Sequence, residues 1–79
     1  MFFKTADEPT FFVDAMLGNI AKKLRLSGYD SKYFADIDDD KLIDSAKKEN
    51  RIVVSSDEEL IKKTKKFGMK SIYVTKKRN

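Results

Sequence analysis

Apolar residues gather in short unbroken runs separated by stretches with a helical beat. Phe11-Phe12-Val13 and Ile52-Val53-Val54 read as strands buried on both faces, the central positions of a parallel sheet. The first strand is expected over about Thr10–Asp14 and the third over Arg51–Val54. Asp30–Phe34 alternates weakly and reads as a short edge strand. Ser71–Thr75, around Ile72-Tyr73-Val74, makes the last. Between them the period changes. Leu17, Ile20, Ala21 and Leu24 fall at i, i+3, i+4 and i+7, predicting a helix over about Met16–Ser27 that ends at Gly28. Leu42, Ile43 and Ala46 predict a second over Asp39–Glu49, closed by Asn50. Leu60, Ile61 and Thr64 predict a third that ends at Gly68. Ser56 and Glu59 have the spacing of a capping box for it, and Glu58–Lys62 and Glu59–Lys63 that of i, i+4 ion pairs.

The alternation β-α-β-α-β-α-β with short links implies a four-stranded parallel sheet with right-handed crossovers and helices on both faces. The two most apolar strands belong in the middle, giving the order 2-1-3-4. The order switches between strands one and three, so a crevice is expected over their carboxyl ends. One domain over 10–75 is expected, with an N-terminal arm over 1–9, broken at Asp7-Glu8-Pro9, and a basic tail over 76–79.

Composition narrows the chemistry. The 79 residues hold no cysteine and no histidine. Thiolate nucleophiles, zinc-thiolate sites, serine–histidine arrangements and imidazole ligands are all excluded within them. Catalysis would have to run on carboxylates, lysines, hydroxyls and a hard metal ion. No apolar run approaches the roughly 20 residues of a membrane helix, and the start, Met1-Phe2-Phe3-Lys4, turns polar at once. The expectation is a cytoplasmic protein without membrane contact.

Charge sharpens the picture. Seventeen basic residues face 13 acidic ones, net +4. Eight of the acids lie between Asp30 and Asp57, while lysines crowd the last quarter of the chain. A basic surface beside an acidic pocket suits a polyanion held near a divalent cation; a surface laced with ion pairs accounts for the same charges more plainly.

The predicted topology puts three carboxylate groups at one sheet edge. Asp14 ends strand one, Asp38-Asp39-Asp40 follow strand two, and Asp57 follows strand three. Like charges so placed need a cation to coexist, and Mg²⁺ or Mn²⁺ suits a few carboxylates plus waters. A metal-activated water would then be the nucleophile against a phosphodiester. Basic residues around the pocket, Lys22, Lys23, Arg25 and Lys62, together with the Ser55 hydroxyl, are candidates for holding the nucleic-acid backbone. Each position also has a plainer role. Asp38 to Asp40 and Asp57 suit helix starts, Glu59 half a capping box, Ser55 a backbone hydrogen bond. Lys22, Lys23 and Arg25 suit a solvated helix face, and Tyr29, Tyr33 and Phe34 packing and edge positions. A phosphoacceptor receiver domain shares the doubly wound sheet, but Ala15 stands where a second acid after Asp14 would be needed.

The stretches FFVDAMLGNIAKKLRLSGYD at 11–30 and DIDDDKLIDSAKKENRIVVSSDEEL at 36–60, with their spacing, resemble the mut-seven C-terminal RNase domain family, a branch of the PIN-like nucleases. The likeness covers about residues 8–75. It implies a PIN-like α/β fold, Mg²⁺ or Mn²⁺ binding, and RNA cleavage by metal-activated water. By position the family's acids match Asp14, Asp39 and Asp57, with Glu59 at a frequently acidic fourth position and Ser55 at a hydroxyl position. Ser56 stands where members often carry a basic residue, and Lys23 where they carry an aromatic. Many members continue into a cysteine-rich zinc ribbon, which this sequence does not contain. A homodimer or a protein partner is then the expected help in gripping RNA. The alternative is a PIN-like module that binds nucleic acid or a partner without cleaving.

Overall fold

The computed structural model describes residues 8–75. Most of the expected arm, and all of the expected tail from Lys76 to Asn79, lie outside the described residues. The elements are β1 (Thr10–Val13), α1 (Gly18–Leu26), β2 (Asp30–Tyr33), α2 (Asp39–Glu49), β3 (Ile52–Ser55), α3 (Glu58–Lys66) and β4 (Ser71–Tyr73). The strands form one parallel sheet in the order β2-β1-β3-β4. Phe12 pairs with Val53 and Lys32, and Val13 with Val54 and Tyr33. No helix among the described residues is long and apolar enough to cross a membrane.

Alternation along the strands divides the core in two. Phe12 and Val53 point to one face, where Leu42, Ile43 and Ala46 of α2 and Leu60 of α3 cover them. Phe11, Val13 and Val54 point to the other, packed by Leu17 and by Ala21 of α1. Phe12, Val13, Ala46, Val53 and Leu60 are completely buried. Burial of one such side chain contributes about 1.5–3 kcal/mol, so the central strands anchor the layers. Tyr29 packs edge-on against Phe11, ring centroids 5.5 Å apart, and Phe34 lies 5.9 Å from Phe12. These aromatics pack, in keeping with their edge positions.

Element ends differ from the sequence pattern for identifiable reasons. α1 starts at Gly18 rather than Met16, because Leu17 N–H bonds back to the Asp14 carbonyl at 2.9 Å and closes a turn first. Arg51 precedes β3 instead of opening it. Asn50 adopts φ 57°, and the Arg51 N–H donates to the Ala46 carbonyl at 2.8 Å, so Arg51 completes the end of α2. The capping box at Ser56 and Glu59 does not form: Asp57 is the N-cap of α3 and accepts from the Glu59 N–H at 2.9 Å. A carboxylate directly before the helix displaces a serine one residue further back. The Glu58–Lys62 and Glu59–Lys63 pairs are also absent. Lys63 approaches Asp40 at 4.0 Å, and Glu58 accepts from the Tyr73 hydroxyl at 3.4 Å.

Candidate functional site

Parallel strands place all their carboxyl ends at one edge, and there Asp14, Ser55 and Asp57 form a hydrogen-bonded chain. The Asp14 N–H still bonds the Val54 carbonyl at 2.9 Å, so the backbone is clamped to β3 as its side chain leaves the sheet. Ser55 is completely buried. Its Oγ–H donates to Asp14 Oδ2 at 2.8 Å, and the same oxygen accepts from the Asp57 N–H at 2.9 Å. One hydroxyl therefore holds the carboxylate after β1 and the start of α3. Asp14 does not cap α1; Leu17 is its N-cap, with no side-chain hydrogen bond.

Of the three consecutive aspartates, each has a different environment. Asp38 caps α2 by accepting from the Lys41 N–H at 2.9 Å. The Asp40 side chain is 93% exposed and leans toward Lys63. Asp39 is half-buried. Burial holds its carboxyl above the usual aspartate value, and the charges of Asp57, Asp14 and Asp40 push it the same way against the pull of Lys63. Asp39 thus feels both Asp14 and Asp57 across the switch point of the sheet.

Among the described residues no three carboxylates stand close enough to grip one ion together. The electrostatics and the spacing point different ways, and both are informative. The Asp39 carboxyl is raised first by burial and then by its like-charged neighbours, which Lys63 offsets only in part. Mg²⁺ keeps several waters and takes only one or two carboxylates directly. The donors at this edge are oxygens, the type hard cations take, and their spacing forms no closed three-carboxylate cage among the described residues.

A comparison with protein families matches the Mut7-C RNAse domain over residues 9–79. The chain belongs to the Mut7-C RNAse domain family. A comparison with curated proteins returns no match.

In this Mut7-C domain the remaining candidate residues scatter. Glu59 is exposed in the first turn of α3, joined to Asp57 through its own N–H. Lys22, Lys23 and Lys62 are exposed. The Arg25 Nε–H donates to the Ser31 carbonyl at 2.9 Å, which ties that side chain to β2 near the opposite edge. Two positions gain weight that their sequence context did not carry. Lys63 is the cation that moderates Asp39. Tyr33, placed by sequence among the packing residues, donates its hydroxyl to the Ala15 carbonyl at 2.7 Å and so pins the turn after Asp14. Gly18 makes room for that ring: a Cβ there would stand 3.1 Å from the Tyr33 hydroxyl. The apolar stripe around Leu17 marks the helix but not the tyrosine that reaches over its start.

Proposed function

We propose that this Mut7-C domain is a metal-dependent ribonuclease whose acidic edge, built from Asp14, Asp39 and Asp57, hydrolyses RNA phosphodiester bonds. The observation that supports this most is the hydrogen-bonded chain Asp14–Ser55–Asp57, which joins acidic residues from distant stretches of chain at the carboxyl edge of the sheet. One or two of Asp14, Asp39 and Asp57 would ligate Mg²⁺ or Mn²⁺ directly and the rest through its waters, and the ion when bound would supply an activated water and offset charge building on the phosphate. Ser55 keeps Asp14 in one rotamer through the 2.8 Å bond to Oδ2. Asp57 gives Oδ1 to the Glu59 N–H, so Oδ2 would be its oxygen for the ion. Glu59, two residues further on, assists directly or through water. Exposed lysines near α3, Lys62 among them, attract the RNA backbone.

The deciding measurement is RNA cleavage with Mn²⁺ by the wild-type chain and by Asp14→Asn. Cleavage by the first and not the second is expected; equal cleavage ends the assignment. The wide spacing of the carboxylates favours one other reading, a module that binds RNA or a partner without cutting. That reading predicts salt-sensitive RNA binding intact in Asp14→Asn and no turnover with any divalent ion.

A further inference from the structure

Charge is distributed along the strand axis. α2 and α3 run antiparallel to the strands, so their first turns lie at the acidic edge and their last turns at the edge where the strands begin. The first turns carry Asp39, Asp40, Glu58 and Glu59; the last carry Lys47 and Lys48 in α2 and Lys65 and Lys66 in α3, while Lys63 reaches back to Asp40. Complementing the helix dipoles accounts for those signs. It does not account for what lies between the two basic ends.

A groove of about 600 Å³ opens there, lined by Lys47, Asn50, Phe67, Met69, Lys70 and the start of β1, among others. Phe67 is 53% exposed at the C-cap of α3, a position to which a phenyl ring contributes no capping bond. The Lys47 ammonium stands over its face, 5.1 Å from the ring centroid. The acids of the lining do little to cancel the lysines. Glu49 is engaged by Lys32 and Arg51, each at 2.6 Å. Arg51 is turned inward onto the Phe11 carbonyl and Asp30. Glu8 is the remaining opposing charge against Lys47 and Lys70.

A half-exposed aromatic ring beside exposed lysines in an open groove is the chemistry that receives a stacked base and its adjoining phosphates. We propose that this groove binds single-stranded nucleic acid, with a base on Phe67 and phosphates on Lys47 and Lys70, at the edge opposite the carboxylates. The incoming base displaces the Lys47 ammonium from the ring, and the ammonium then meets the neighbouring phosphate. The groove addresses base faces and phosphates, so RNA and DNA single strands bind alike. The site deepens the ribonuclease reading as a second hold on the substrate strand, but its binding step is independent of cleavage.

The test is fluorescence anisotropy of labelled RNA and DNA oligonucleotides of about 12 nucleotides, in the normal single-strand site range. It is run in EDTA, where cleavage is silent, so this inference and the cleavage assignment fail separately. Phe67→Ala is expected to weaken binding about tenfold or more, from the usual worth of one stacked base, and Phe67→Tyr to restore it. Lys47→Gln combined with Lys70→Gln is expected to reduce the slope of log K against log salt by about 1.4, two single-strand phosphate contacts. All three sites lie at the surface, and circular dichroism melts check that the variants fold. Wild-type affinity in Phe67→Ala, a preference for duplex, or head-to-tail self-association without oligonucleotide binding overturns the proposal.

Discussion

Ser55 and Asp14 lie 41 residues apart in sequence and are joined by a 2.8 Å hydrogen bond at the switch point of the sheet. The serine is completely buried, and its oxygen also accepts from the Asp57 N–H. Ser55→Ala removes both bonds and leaves a backbone donor without its partner. A loss of about 1–3 kcal/mol in unfolding free energy is expected, read by urea denaturation. Mn²⁺ affinity, measured by calorimetry, should fall alongside, since Asp14 loses the bond that orients it.

Asp39 gives the acidic edge a pH-dependent stability. Its carboxyl titrates above the usual aspartate range because of burial and the charges of Asp57 and Asp14. The sign follows directly: the ionised form is the disfavoured one in the fold, so its cost is present at neutral pH and fades as pH falls through the raised value. A divalent ion bound there, as the ribonuclease proposal requires, would relieve the same cost. Mn²⁺ is expected to raise the melting temperature of the wild-type chain at pH 7 and to do so less in Asp39→Asn. Equal increments in both proteins would place the ion elsewhere.

Gly18 and Tyr33 are coupled through space. A methyl at residue 18 would meet the Tyr33 hydroxyl at 3.1 Å and the carbon bearing it at 3.2 Å, pressing on the bond to the Ala15 carbonyl. Alanine also favours a helix over glycine by about 1 kcal/mol, so the two effects oppose. Gly18→Ala is expected to be more favourable in a Tyr33→Phe background than in the wild type. A double-mutant cycle should return at least about 0.5 kcal/mol of coupling; strict additivity would show that the ring shifts aside freely.

At the opposite edge, Glu49 accepts hydrogen bonds from Lys32 and Arg51, and these hold its carboxyl below the usual glutamate value. The stabilisation is therefore complete above the ordinary value and is lost as pH falls through the depressed one. Glu49→Gln should melt lower than the wild type at neutral pH, with the gap closing in acid. Because the Lys32–Glu49 pair is partly exposed, added salt should weaken that half of the interaction and narrow the gap at neutral pH, while the buried Arg51 bond persists.

The strands, helices and sheet order were legible because burial imposes period. Phe11-Phe12-Val13 and Ile52-Val53-Val54 can satisfy two covered faces only in the centre of the sheet, which sets β1 beside β3. Asp39–Glu49 could be bounded from its caps alone, since an aspartate before it and an asparagine after it serve local backbone groups. The start of α3 was misplaced by one residue, because Ser56 and Asp57 both offer local caps and only the buried bridge from Ser55 to the Asp57 N–H decides between them.

Local sequence thus determined which segments are strands, which are helices, and that acids from distant stretches follow the carboxyl ends of the strands. Tertiary structure decided what each acid does. Asp38 is occupied by its helix, Asp40 faces solvent, and Asp39 senses Asp14 and Asp57. It also decided that Tyr33 anchors the turn after Asp14 and that Phe67 stands in a basic groove. The physical reason is range: backbone period and caps are settled within a few neighbouring residues, whereas charge repulsion and long hydrogen bonds depend on distances that exist only once the sheet has closed.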